Sequence, residues 1–127
     1  MFNRGSRFHL GMGDMQGQMM KQQAGPQQID AAASQSKLAS ITESMGIAIE
    51  IVKTSTDEVV MRMKQCPVYA AALMLGLDDK SIEARCRNGA VVLMDTVTKH
   101  LNPDLKYEVI KFRSSPDDFC EEVIRKR

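Results

Sequence analysis

The fold is decided by the stretch Ile47-Ala48-Ile49-Glu50-Ile51-Val52-Lys53-Thr54-Ser55-Thr56-Asp57-Glu58-Val59-Val60-Met61-Arg62-Met63-Lys64. Its first part has a period of two, with Ile47, Ile49 and Ile51 on one face and Ala48, Glu50 and Val52 on the other, which is strand spacing. Ser55, Thr56 and Asp57 then supply turn chemistry. The alternation resumes with Met61 and Met63 inward against Arg62 and Lys64 outward, so the stretch predicts a β-hairpin.

On the N-terminal side of the hairpin, Asp30 can cap a helix whose inward stripe reads Ala33, Leu38, Ile41, Met45 and which stops at Gly46. On the C-terminal side, Cys66-Pro67 breaks the strand and suits the start of a short helix from Val68 to Leu75, closed by Gly76. Asp78 and Asp79 favour the start of a further, long helix. Its apolar residues Ile82, Cys86, Ala90, Leu93, Met94, Val97 and Leu101 recur at helical spacing until Asn102-Pro103 ends it. Leu105 to Arg113 and Phe119 to Lys126 are strand-like and joined by Ser114, Ser115, Pro116, Asp117 and Asp118, a second hairpin. The predicted order is α-ββ-α-α-ββ: an α+β domain whose two hairpins form a four-stranded antiparallel sheet with helices on one face.

Totals bound the function. A chain of 127 residues, 43% hydrophobic, holds one core. The longest apolar run, Val68 to Leu75, falls well short of the roughly 18 residues of a bilayer span, and the first thirty residues carry no secretory pattern. A cytoplasmic protein that is not membrane-inserted is expected. With 17 basic and 16 acidic residues, the chain lacks the cationic excess of a nucleic-acid binder. Three cysteines, an odd number, fit free thiols better than a disulfide framework.

Residues 1–28 stand apart from the domain at 29–127. They hold five of the ten methionines and no β-branched residue, too little branched apolar surface to offset ordering entropy, so a flexible arm is expected. Methionine adapts to irregular apolar surfaces, which makes the arm a docking peptide for a larger complex. The side chains expected to meet that partner are Phe2, Arg4, Arg7, Phe8, His9, Met12, Met15, Met19 and Met20. His9 is also a candidate ligand for a cofactor or metal carried by the partner.

Chemistry, if present, centres on Cys66, Cys86 and Cys120. Their spacing matches no zinc signature, yet the predicted fold could bring them together as catalytic thiols or as holders of a metal. They also read as small buried hydrophobes. A thiol at a helix N-terminus makes Cys66 the best nucleophile of the three. Tyr69, Arg85 and Asp118 lie near them in sequence and are candidates for a ligand pocket. His100, near the end of the long helix, reads as solvated or capping. No cofactor is predicted.

Four patches carry a resemblance: Cys66-Pro67-Val68-Tyr69, Glu83-Ala84-Arg85-Cys86, Leu101-Asn102-Pro103-Asp104-Leu105 and Ser115-Pro116-Asp117-Asp118-Phe119-Cys120. Across residues 30–127 the chain resembles the aminothiazoline-carboxylate hydrolase family, itself similar to vinyl-reductase and hydrocarbon-binding domains. The resemblance implies a small α+β module and ring-opening hydrolysis of a thiazoline, with the cysteines and neighbouring carboxylates as its site. Weighed with the missing catalytic constellation, the leading expectation is a non-catalytic accessory or regulatory protein docking on a larger complex, of a redox or methyl-transfer kind. The alternatives are the hydrolase and a small-ligand or metal sensor.

Overall fold

A computed structural model describes residues 4–24 and 29–127, with side chains from residue 9 onward except those of 24–28. The elements are α1 (Arg4–Ala24), α2 (Ala31–Ser44), β1 (Ile49–Thr54), β2 (Glu58–Met63), α3 (Pro67–Met74), α4 (Asp79–Asn88), α5 (Ala90–Leu101), β3 (Leu105–Lys111) and β4 (Cys120–Lys126). The four strands form one antiparallel sheet in the order β1-β2-β4-β3. Each hairpin therefore contributes one edge and one central strand, and the β2–β4 seam joins them.

The register fixes which side chains face the helices. Val59, Met61 and Met63 stand opposite Ile124, Glu122 and Cys120. Tyr107 and Val109 stand opposite the same Ile124 and Glu122 from the other side. The core lies on this face, where Leu38 of α2 and Leu93, Met94, Val97 and Leu101 of α5 close over β2, β3 and β4. As an edge strand, β1 is exposed along most of its length, with a register shift between Ile51 and Lys53.

Local signals set the element ends. Asp30 accepts from the N–H of Ala33 at 2.8 Å and Asp78 from that of Ser81 at 2.8 Å, each satisfying a free donor of the first turn. Gly46 and Gly76 follow α2 and α3 with φ of 77° and 89°, the left-handed geometry that glycine enters without steric cost. Asn102 ends α5 and ties two segments down, donating to the Ile29 carbonyl at 2.9 Å and accepting from the N–H of Asp104 at 2.9 Å.

Three expectations need correction. Residues 78–101 are two helices, broken where Gly89 takes φ −119° and ψ −90°. Apolar residues recur at helical spacing in both helices, Ile82 buried in α4 and Leu93, Met94, Val97 and Leu101 in α5, so the pattern runs through the break. Next, α2 buries Ala31, Ser34, Leu38 and Thr42, while Ala33 is exposed. Thr42 can turn inward because its hydroxyl bonds back to the Leu38 carbonyl at 3.4 Å, four residues earlier.

The third concerns the arm. Instead of lacking a shape, it forms the 21-residue α1, which lies along α5. Its sequence is a poor helix former, with four glycines and no acidic residue in the first turn. Tertiary packing holds it, and the glycines are the means. A Cβ on Gly13 would stand 2.7 Å from the Cβ of Thr96, and one on Gly17 would stand 2.6 Å from the His100 side chain. Four residues apart, they share one face of α1 and let its backbone settle onto α5. Composition signalled the missing branched side chains but not what their absence allows.

Candidate functional site

The three cysteines come from three elements. Cys66 is the N-cap of α3, with Pro67 at the first helical position and no hydrogen bond from its side chain to the helix N–H groups. Cys86 lies in the last turn of α4, and Cys120 opens β4 opposite Met63 at the end of β2. All three are free thiols; Cys66 and Cys86 are half-buried and Cys120 is buried. The Cys66 and Cys120 thiols both act electrostatically on Cys86. Burial pushes the Cys86 thiol up to about 11, and the proximity of Cys66, Cys120 and Glu122 adds to the effect. Cys86 is thus held as a neutral thiol, the poorer nucleophile.

Arg113, just beyond β3, anchors the cluster and was not singled out by the sequence. The residue is only 2% exposed. It donates to the Met63 carbonyl at 2.6 Å, the Lys64 carbonyl at 2.9 Å, the Asp118 carbonyl at 3.1 Å and the Cys120 sulfur at 3.3 Å. These bonds staple the end of β2 to the β3–β4 turn, and the guanidinium carbon sits 5.6 Å from the centre of the Tyr69 ring. Tyr69 is itself buried, packs at a tilt against Phe112 and donates its hydroxyl to Asp79. Burial first and the Asp79 carboxylate second push that phenol up to about 12.

Glu122 is the other residue the sequence reading passed over. The alternation that turns Cys120 and Ile124 inward turns Glu122 inward too, a signal that was available. Burial pushes its carboxyl up to about 7, against the lowering effects of a Tyr107 hydroxyl that hydrogen-bonds to it and of the nearby Arg113 charge. Tyr107 is held well above its ordinary range, mainly by burial.

The remaining predicted residues are placed elsewhere. Arg85 is exposed on α4. Asp118 organises the β3–β4 turn, accepting from Lys111 at 2.8 Å and from the N–H groups of Phe119 at 2.8 Å and Ser114 at 3.0 Å. Those bonds, led by Lys111, hold it far below the usual carboxylate range. Among the described residues, no group of three or more His, Cys, Asp or Glu side chains is arranged to hold a metal ion, and no helix is long and apolar enough to cross a membrane.

The arm residues divide by helical phase. Met12 and Met20 pack against the core, whereas Met15 and Met19 are 64% and 58% exposed. His9 sits over Gly89, its ring carbon 3.1 Å from where a Cβ there would be. Expected to be solvated or capping, His100 instead lies with Nε2 2.8 Å from Asp14 Oδ1 across the α1–α5 seam. Arg4, Arg7 and Phe8 belong to α1 with side chains outside the described set, and Phe2 lies outside the described residues. An open cleft runs between α1 and α2, lined by Met19, Met20, Gln16, Gln23, Ile41 and Ser40.

No protein-family model matches the sequence, and no curated protein matches it. Among solved structures, the chain is similar to a trafficking protein particle complex subunit 3 from Naegleria fowleri covalently bound to palmitic acid. The two share 16% identity, with a TM-score of 0.52 over 96% of this chain and 80% of that one. The likeness is one of fold, and it corrects the resemblance to aminothiazoline-carboxylate hydrolases, because the neighbour belongs to a different family. Three of the four patches that carried that resemblance have local explanations. Cys66-Pro67 starts α3, Leu101-Asn102-Pro103 stops α5 and Ser115–Asp118 turns β3 into β4, and such start, stop and turn chemistry recurs in unrelated folds.

Proposed function

We propose that this chain is a small, non-catalytic subunit of a larger protein assembly, docking through the outward side of α1. The observation that carries this reading is the division of the α1 methionines: the helix spends its glycine face on α5 and leaves Met15 and Met19 in solvent beside the cleft to α2. Large, adaptable apolar side chains on a soluble surface next to a groove are the usual furniture of a protein interface. The neighbour in fold supports the same reading, since it is by name a subunit of a trafficking complex. That likeness favours an assembly of the trafficking kind over a redox or methyl-transfer one. A neutral Cys86 and a guanidinium committed to backbone carbonyls also fit a structural cluster better than a reaction centre.

The test is native purification of the tagged full chain beside a Met15→Glu/Met19→Glu variant. The wild type should elute as a stoichiometric complex and the variant as a folded single chain. Elution of the wild type alone, at native expression level, would remove the reading.

A second reading is favoured by the exposure of Cys66. The neighbour holds palmitic acid covalently, and Cys66 is half-buried where Cys120 is buried and Cys86 is held neutral by its surroundings. Cys66 is then the thiol that would carry an acyl group as a thioester. Mass spectrometry of the native protein should find a hydroxylamine-labile adduct on Cys66, absent in Cys66→Ala. An unmodified Cys66 in protein taken from its own cell would exclude it.

A further inference from the structure

The sheet has two edges, and the fold treats them differently. Along β3, α5 packs beside the strand and Asp95 accepts from the Tyr107 N–H at 2.9 Å, so a backbone donor that β4 leaves free is already taken. The β1 edge is barer. Five of its six residues are exposed, Ile51 and Val52 to 42% and 47%. At one end of its ladder to β2, the Ala48 carbonyl accepts from the Lys64 N–H at 2.8 Å, and at the other the Ser55 N–H donates to the Glu58 carbonyl at 2.9 Å. By antiparallel alternation, the backbone groups of Ile49, Ile51 and Thr54 therefore point away from the sheet. An edge of this kind is a template for another strand.

The order of residues along β1 makes the strand complementary to itself. A second β1, run antiparallel about a two-fold axis between Ile51 and Val52, sets Ile51 against Val52, Glu50 against Lys53 and Ile49 against Thr54, each pair occurring twice. Opposite residues must share a face. In a regular strand Glu50 and Lys53, three residues apart, would lie on opposite faces, but the register shift between Ile51 and Lys53 removes that conflict. Glu50 stands opposite Arg62 and Lys53 opposite Val60, on the side of β2 away from Met61. Ile49 and Thr54 stand opposite Met63 and Val59, on the side toward the core. The bulge, which on a lone edge would discourage pairing, here brings opposite charges together. Within the chain Glu50 meets Lys64 at 3.6 Å and Arg62 at 3.9 Å, and Lys53 meets Glu58 at 3.0 Å. Such exposed pairs rearrange at little cost.

We propose that two copies of this chain pair through β1, joining their sheets into a single sheet across a two-fold axis. Association stops at two, because the edges left over are both β3, where α5 and Asp95 already cover the strand. The pairing is made by β1 and does not depend on the α1 docking surface. A single strand edge buries less than the roughly 1,200 Å² at which stable interfaces begin, so the pair forms at micromolar concentrations and separates on dilution.

Sedimentation velocity of the full chain between about 5 and about 500 μM tests this. The wild type should pass from 14.2 kDa toward twice that mass as concentration rises. Glu50→Lys sets lysine against lysine at both charge pairs, and Lys53→Glu sets glutamate against glutamate. Each variant alone should therefore associate with itself at least about tenfold more weakly. Mixed in equal amounts, the two variants restore opposite charges at both pairs and should recover the wild-type affinity. A wild type that stays at 14.2 kDa throughout overturns the proposal. So do single variants that dimerise undiminished, or a mixture that gains nothing over its components. Should one variant fail to fold, the self-association of the other decides alone.

Discussion

Two regions of the molecule solve opposite packing problems. At the α1–α5 seam, side chains are missing: Gly13 and Gly17 offer only backbone, so Thr96 and His100 of α5 take the space a Cβ would fill. At the cysteine cluster, polar side chains are in surplus. A buried guanidinium, two buried phenols, three thiols and an inward glutamate are carried by α3, α4, β3, β4 and the residue just beyond β3. The first region is stabilised by close approach and broken by adding atoms, while the second is stabilised by satisfied hydrogen bonds and broken by removing them.

The sharpest way to break that comparison is at Arg113. Arg113→Met keeps the apolar stem but strands the carbonyls of Met63, Lys64 and Asp118, and it should lower stability by about 3 kcal/mol in urea denaturation. A loss below about 1 kcal/mol would mean that water replaces the guanidinium and that the cluster is not a buried staple.

Glu122 comes next and has the opposite sign. Its raised pKa means that the wild type loses stability as pH climbs from the ordinary glutamate range to about 7. Glu122→Gln should therefore be more stable than the wild type by on the order of 2 kcal/mol at about pH 8, and the difference should vanish near pH 4. Parallel thermal melts of the two proteins across pH would show it, and equal melting temperatures at high pH would contradict it.

The seam is sharpened by a pair of matched substitutions. Gly17→Ala puts a methyl group into His100 and should cost about 1 kcal/mol of α1 docking even after its gain in helix propensity. Gly11→Ala, at a position with nothing within 4 Å, should gain about 1 kcal/mol from propensity alone. Limited proteolysis within residues 4–24 reads both: faster for the first, slower for the second. The smallest effect belongs to Asp14→Asn, which weakens an exposed pair with His100 and should change stability by less than about 0.5 kcal/mol. A larger loss would make that pair, rather than the glycines, the fastener of α1.

Legibility in the sequence followed the range of the interaction that carried each signal. The hairpins, the caps at Asp30 and Asp78, and the stops at Gly46, Gly76 and Asn102 were readable, because each depends on a handful of neighbouring residues. The break at Gly89 was not, since a glycine within a continuous apolar stripe has the same spacing whether or not the helix bends there. Cys66, Cys86 and Cys120 were singled out in the sequence, whereas Arg113 and Glu122, whose charges act on Cys86, were missed. Glu122 could have been found by extending the strand alternation two residues from Cys120. Arg113 offered no comparable signal, because its partners Met63 and Lys64 lie 50 and 49 residues away in sequence.

Composition, periodicity and turn chemistry were enough to specify an α+β chain of two hairpins with helices between them. What they could not specify is where a side chain finds its partner once distant segments meet. The tertiary structure alone decided that a methionine- and glycine-rich arm becomes a helix on α5, because that helix forms through contacts it does not itself contain. It also decided which groups surround Glu122, the glutamate that the strand alternation turns inward. The free energy of a buried charge depends on the solvent it loses and the donors it meets, and neither is written in the neighbouring residues.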